Sequence, residues 1–312
     1  EFLRGLGIRA GTSAVYTKAY DKFKAWCREQ QHRNVDQNLD VYGTLYLQAY
    51  YDSKETTSPG VAGCLYSAFR NRQPTEQFPR VKKVLKKISE THVTTKALPL
   101  TEQGMLAVIG LLRKKEHYEG VAISLLMWLG MLRCSEALAL EYSDLQWVSS
   151  NDEDTAGGGL VMSVRNTKTR ACDSVFVERH PTTRCTHGPG TNRVLLDLLK
   201  QVLERLNSKS RRGRRFVSSM TYPKFRKLFA HTSRSLGLQH AHDGEGHSTA
   251  RLRYNTHSYR RGRCTSCYTS GWTHDSLALY GRWSSKDSVK QYLAQSLAVL
   301  VTRGDGNATY AN

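Results

Sequence analysis

The stretch VAISLLMWLGMLRCSEALALEYSD (121–144) passes from wholly apolar to charged within the length of one long helix. Its first part, VAISLLMWLGML (121–132), carries no charge. A helix apolar on every side belongs inside a core, and this one is too short to span a bilayer. Arg133 follows at the end of that helix, where an unpaired charge is costly to bury. Glu136 comes three residues later, so the spacing predicts that it shares Arg133's helix face. Leu140 and Asp144 complete the string LRCSEALALEYSD (132–144). An ordinary Arg–Glu pair on a surface helix, worth little, would read the same way.

Outward from this stretch, residues 13–90 look helical and basic. SAVYTKAYDKFKAWCRE (13–29) repeats Val15, Tyr16, Tyr20, Phe23 and Trp26 at helical spacing. VYGTLYLQAYYDS (41–53) and SPGVAGCLYSAFRNR (58–72) continue the style, the second with Ser58 as a cap and Pro59 in the first turn. VKKVLKKISE (81–90) is a short helix whose Lys82, Lys83, Lys86 and Lys87 form either a solvated face or a phosphate-contacting one. THVTTKALP (91–99) reads as an extended linker, and Thr101 with Glu102 opens a new helix. The expected domains are therefore 1–95 and 96–312.

The second part contains one expected strand pair, GLVMSV (159–164) and DSVFVE (173–178), joined by a turn holding Lys168. RVLLDLLKQVLERL (193–206) is amphipathic and TYPKFRKLFAHTSRSLG (221–237) is helical up to Gly237. KSRRGRR (209–215) is a basic loop, with Arg211, Arg212, Arg214 and Arg215 as candidate DNA contacts. The stretch 238–255 has no periodicity, and helices return from Asn255. The fold class is mainly α with a small antiparallel sheet, with an all-helical first domain.

The chain carries a net charge of +19, which favours a polyanionic partner, most often nucleic acid. Nothing resembles a lipidation motif or a long basic amphipathic helix, so a membrane is not expected as partner. The opening EFLRGLGIRAG lacks the apolar core of a signal peptide, so secretion is not expected. It also lacks a starting Met, as a fragment or a processed product would. Seven cysteines, an odd number, argue against a disulfide framework and for a reducing compartment. Cys264 and Cys267 form a lone C-x-x-C, and Cys172, His180, Cys185 and His187 are loosely grouped. No second pair stands at finger spacing, so Cys264 and Cys267 read as core residues and no metal site or cofactor is expected.

Two further strings bear on chemistry. THSYRRG (256–262) puts His257 and Arg260 on one helix face, and GRWSSKDSVKQYL (281–293) carries Trp283 and Tyr292. Each residue alone has an ordinary reading as a core aromatic or part of a basic helix. Together with Arg133 they supply two guanidiniums to clamp a phosphate, ring N–H groups to bond its oxygens, and a phenol as nucleophile.

The joint pattern resembles the tyrosine recombinase (phage integrase) family over roughly residues 80–300. The family's R-x-x-E-x-x-x-L-x-x-x-D reads here as Arg133, Glu136, Leu140 and Asp144, and its H-x-x-R as His257 and Arg260. Its G-H/W-x-S is matched by Gly281, Trp283 and Ser284, with Arg282 intervening, and its nucleophile by Tyr292. KALPLTEQ resembles the family's entry into its catalytic domain. The resemblance implies that Lys168 in the hairpin turn is a general acid for the leaving 5′ oxygen and that Glu136 supports the site. Trp283 stands where most members have a second histidine, so it can donate one bond but cannot shuttle a proton. That shifts proton transfer toward Lys168 and His257.

The expected activity is site-specific recombination or integration through a 3′-phosphotyrosine, without a metal. The expected architecture is an N-terminal core-binding domain and a catalytic domain closing on double-stranded DNA as a clamp. The expected assembly is a homo-tetramer, a dimer on each of two DNA sites, with LAQSLAVLVTRGDGNATYAN (293–312) packing on a neighbouring subunit. The long stretch 238–255 is an expected DNA-touching insertion. Eukaryotic mobile elements such as Cryptons and tyrosine-recombinase retrotransposons have a similar style, which would place the protein in a nucleus, and otherwise in cytoplasm. A catalytically silent DNA-binding protein and a type IB topoisomerase are the alternatives.

Overall fold

Aromatic side chains at helical spacing build the first of two units, Glu1–Thr94 and Thr95–Asn312. The computed structural model describes residues 10–53, 59–91, 97–148, 158–165, 172–179, 191–209, 216–238, 254–290 and 292–294. In the first unit, α1 (Ala10–Glu29), α2 (Leu39–Asp52), α3 (Gly60–Arg72) and α4 (Pro79–Thr91) enclose one core. Helix α1 buries Tyr20, Phe23 and Cys27, one stripe at three- and four-residue intervals. Phe23 meets Phe69 of α3 edge-on at 5.1 Å between centroids. The Asp40 carboxylate of α2 accepts the N–H groups of Arg80 and Val81 at 3.1 and 3.0 Å. Those are donors that the first turn of α4 leaves unused, so one side chain both caps α4 and docks it. At α3 the sequence expectation needs correcting: Pro59 itself occupies the N-cap position, and Ser58 lies outside the described residues.

The second unit is organised around α6 (Tyr118–Leu129), in which every residue from Gly120 onward is buried. Around it pack α5 (Glu102–Lys114), α8 (Thr191–Lys209) and α10 (His257–Thr269), and α9 (Tyr222–Ser235) packs against α5. Thr101 caps α5 by accepting the Gly104 N–H at 3.1 Å, as the sequence predicts. Ala97 and Leu98, at the end of the stretch expected to be an extended linker, are buried, as is Leu100. Leu100 donates its N–H to Ser258 O at 3.0 Å and lies under α10.

The sheet is antiparallel with order β1 (Leu145–Val148), β2 (Gly159–Arg165), β3 (Cys172–Glu178). Leu160, Met162 and Val164 of β2 and Val175 and Val177 of β3 point into the core, the alternation expected of a half-buried sheet. Strand β1 was not expected. Short α7 (Cys134–Ala139) and α11 (His274–Tyr280) complete the unit, with further helix at 286–290 and 292–294. Among the described residues no helix is long and apolar enough to cross a membrane.

Candidate active site

The C-terminal end of α6 sets the geometry. A helix end leaves its last carbonyls without intrahelical partners. Here Gly130 follows Leu129, and Met131 turns the chain at φ 45°, a left-handed conformation rare for a residue with a side chain. The freed carbonyls then meet donors from far along the chain. Tyr280 Oη donates to Leu129 O at 2.5 Å, Arg282 to Gly130 O at 3.2 Å, and Arg260 to Met131 O at 2.9 Å. Cations at a helix C-terminus are also favoured by the helix dipole.

The Met131 turn changes the expected placing of Arg133. It does not extend the apolar helix but stands before α7 as its N-cap, in extended conformation at φ −71° and ψ 151°. Glu136 is the third residue of α7 and reaches back. Its carboxylate accepts the Arg133 backbone N–H at 2.8 Å and pairs with the Arg133 guanidinium at 2.5 Å. The expected pair therefore forms by capping and not by a shared helix face. The same carboxylate pairs with Arg282 at 2.9 Å and lies 4.0 Å from Arg260. Burial alone would raise its pKa. The Arg133 N–H and the charges of Arg282 and Arg133 outweigh that and hold Glu136 ionised below the ordinary carboxylate range. Leu140 is core, and buried Asp144 accepts the Glu141 N–H at 2.9 Å and pairs with Arg165 of β2 at 2.6 Å.

Helix α10 presents His257 and Arg260 from its first turn. A Cβ on Gly262 would lie 1.8 Å from Leu100 O, so only glycine lets the helix sit this close to that backbone. The Arg260 side chain is 3% exposed, and it also donates to Gly281 O. Burial first, then Arg133, lower its pKa to about 10, which leaves it charged at neutral pH. His257 keeps an exposed edge, and its backbone N–H is held by Asn255 at 2.8 Å. The crowding around its ring and the charges of Arg260, Arg133 and Arg261 hold its pKa below 6.5, so the imidazole is neutral and able to accept a proton.

Trp283 lies under Arg260, with the guanidinium carbon 4.4 Å from its ring centroid. Tyr292 crosses Trp283 edge-on at 5.3 Å, and Arg261 stands 4.6 Å over the Tyr292 ring. A Cβ on Gly281 would meet the Trp283 ring at 1.8 Å, which explains glycine at that spacing. Burial raises the Tyr292 pKa, and Arg260 and Arg261 work against it. Cys264 and Cys267 pack in a small core cluster with Met131, Leu277, Val289 and Leu293, and burial pushes the Cys264 thiol up to about 12.

The structure thus brings together Arg133, Glu136, His257, Arg260, Trp283 and Tyr292. Lys168, Arg211, Arg212, Arg214, Arg215, His180, Cys185, His187, nearly all of 238–255 and the tail from 295 lie outside the described residues. Lys82, Lys83, Lys86 and Lys87 are exposed along α4 in the first unit. Sequence reasoning passed over Arg261, which lies against Tyr292, and Arg282, which is buried in the site.

No protein-family model matches the chain, and no curated protein matches it. Solved structures do. A lambda integrase dimer bound to a core site matches with a TM-score of 0.56 at 13% identity, covering 94% of this chain and 91% of that one. The XerH site-specific recombinase bound to its palindromic difH substrate matches with a TM-score of 0.56 at 10% identity, covering 86% and 72%. The chain has the tyrosine recombinase fold. At such identities the likeness is one of backbone. The tyrosine recombinase fold accounts for how residues 127 to 159 positions apart in sequence (Arg133 to Arg260, and Arg133 to Tyr292) come to one place. What those residues do there must be argued from their chemistry.

Proposed function

We propose that this protein is a site-specific DNA recombinase or integrase that cleaves and rejoins DNA through a 3′-phosphotyrosine at Tyr292. The observation that carries this is the arrangement of two guanidiniums, Arg133 and Arg260, within reach of one carboxylate, beside a phenol that packs against Trp283. In the reaction Tyr292 Oη attacks a backbone phosphorus as the bond to the 5′ oxygen breaks. Arg133 and Arg260 take the charge that grows on the non-bridging oxygens, and the Trp283 N–H bonds one of them. Neutral His257 is the proposed acid/base and phosphate ligand, and Lys168 is the proposed acid for the leaving 5′ oxygen. Rejoining runs the same steps backward with the new strand's 5′ hydroxyl as nucleophile. Nothing in this scheme draws on a metal.

Double-stranded DNA is the proposed partner, supported by the +19 charge and by similar proteins solved on DNA. The first unit, with Lys82, Lys83, Lys86 and Lys87, is the proposed core-binding domain. A homo-tetramer on two sites is the proposed assembly. The deciding experiment incubates the protein with a library of nicked random-sequence duplexes, then denatures in detergent. Wild type should yield a covalent protein–DNA adduct that resists denaturation, and Tyr292→Phe none. A wild type without adduct would leave only a DNA-binding role. Sequence-independent relaxation of supercoiled plasmid would favour a topoisomerase.

A further inference from the structure

Arg282 combines three features that nothing in the proposed reaction uses. Its backbone sits at φ 57°, a left-handed conformation that strains an L residue. Its side chain is 3% exposed, like that of Arg260, but its guanidinium is paired with the Glu136 carboxylate at 2.9 Å. Its guanidinium reaches three acceptors that belong to the clamp. It pairs with Glu136 Oε2 at 2.9 Å, the oxygen that also accepts the Arg133 backbone N–H at 2.8 Å. It donates to Met131 O at 3.4 Å, which also accepts from Arg260 at 2.9 Å. It donates to Gly130 O at 3.2 Å, fixing the turn that separates α6 from Arg133.

Each catalytic guanidinium is thus held by a group that Arg282 also holds. Without Arg282, Glu136 would be freer to swing toward Arg260, 4.0 Å away, and draw it off the phosphate. With Arg282, one carboxylate is committed to two cations, and Arg260 is left to the Met131 and Gly281 carbonyls and to the face of Trp283. A planar guanidinium offers five donors in a fixed fork, whereas an ammonium offers three on a flexible stem and does not hold its acceptors in one geometry. We propose that Arg282 is a positioning residue that acts through Glu136 and the Met131 carbonyl to hold both Arg133 and Arg260 in the geometry of the phosphate clamp. This rests on the recombinase reading above.

The test uses the full chain and the nicked random-duplex library. It measures the single-turnover rate of adduct formation at saturating DNA, and separately the affinity for the same library. Arg282→Met should slow adduct formation about 10- to 100-fold, the scale of an ångström of misplacement, and leave affinity within about twofold. Arg282→Lys should fold and recover only part of the rate. The double variant Arg282→Met with Glu136→Gln should lose clearly less than the product of the two single penalties, because both changes break the Glu136 linkage. A folded Arg282→Met or Arg282→Lys at the wild-type rate overturns the proposal, as do penalties that multiply in the double variant. A merely structural role would lower the melting temperature and the affinity along with the rate. If Arg282→Met does not fold, the Lys variant decides. A wild type that forms no adduct overturns the recombinase reading and takes this proposal with it.

Discussion

Two sets of cations in this chain do opposite things with the same charge. Lys82, Lys83, Lys86 and Lys87 stand exposed along α4, and the ion pair of Lys86 with Glu90 at 3.8 Å is solvated on both sides. Arg260 and Arg282 are each 3% exposed and bonded to carbonyls and to one shared carboxylate. Exposed lysines keep their rotamer freedom and their hydration, so they can meet any polyanion and select none. Buried guanidiniums have already lost both, and the fold fixes where they point. Distributed charge supplies affinity; fixed charge supplies chemistry. Arg133, at 27% side-chain exposure, lies between the two, anchored by Glu136 at one edge and open at the other.

The contrast breaks most visibly at Arg260. Arg260→Met should cut adduct formation by ~1000-fold or more, the scale of losing a preorganised donor to a developing oxyanion. Replacing all four α4 lysines by alanine should leave the rate at saturating DNA within about threefold. Should the lysine variant lose the rate and Arg260→Met keep it, the division of labour is wrong. Next in size is Gly262→Ala. Its new Cβ would have to push Leu100 O away from 1.8 Å, so α10 must lift. Roughly 3 kcal/mol of stability should be lost, read by thermal or denaturant unfolding, and the adduct rate should fall with it because His257 and Arg260 ride on that helix.

How much of this was legible in the sequence divides along the same line. Helix α6 was plain because it is apolar all round, and the α5 start was plain because Thr101 is a strong cap. The strings around Arg133, His257 and Trp283 pointed to one site because their residue types share a chemistry. What stayed hidden were the turns. Nothing in the letters Met131 or Arg282 announces a positive φ, since tertiary bonds and not local preference hold them there. Arg133 was therefore placed on the wrong side of a turn, although its partner was right. Strand β1, LQWV, was missed because four residues with Trp147 and Val148 half in solvent show no clear alternation. Helix α10 buries Ser258, Arg260, Arg261 and Arg263 on a helix with no apolar stripe, so periodicity could not show how deep it sits.

The lysine face itself gives a smaller, graded effect. Each lysine that meets a phosphate should contribute about 0.9 to the slope of log affinity against log salt. The quadruple variant should bind DNA less tightly at low salt with a visibly shallower slope, measured by fluorescence anisotropy across a salt series. An unchanged slope would mean that α4 is only a solvated face. By contrast, Arg282→Met should leave the slope alone, because its guanidinium is already neutralised by Glu136 at 2.9 Å and not by a counterion.

The smallest effect is a proton. In free protein His257 titrates below 6.5 because its surroundings desolvate it and three guanidiniums repel its charged form. The unfolded chain has the ordinary value, so as pH falls through about 6.5 the unfolded state takes up the proton first. Folding should therefore lose a little stability on acidification over that window, and His257→Gln should remove that component. A bound phosphate reverses the sign of the local field. It cancels the arginines' repulsion, pulls the His257 pKa back up, and so must be accompanied by proton uptake at pH values between the two. Binding to short duplex DNA, followed by calorimetry in buffers of different ionisation enthalpy near pH 6, should show a fraction of a proton taken up. That fraction should vanish in His257→Gln and survive in the lysine variant, since only a fixed cluster of charges can couple one imidazole to one phosphate. Uptake that instead follows the lysines would place the phosphate on α4 and not between Arg133 and Arg260.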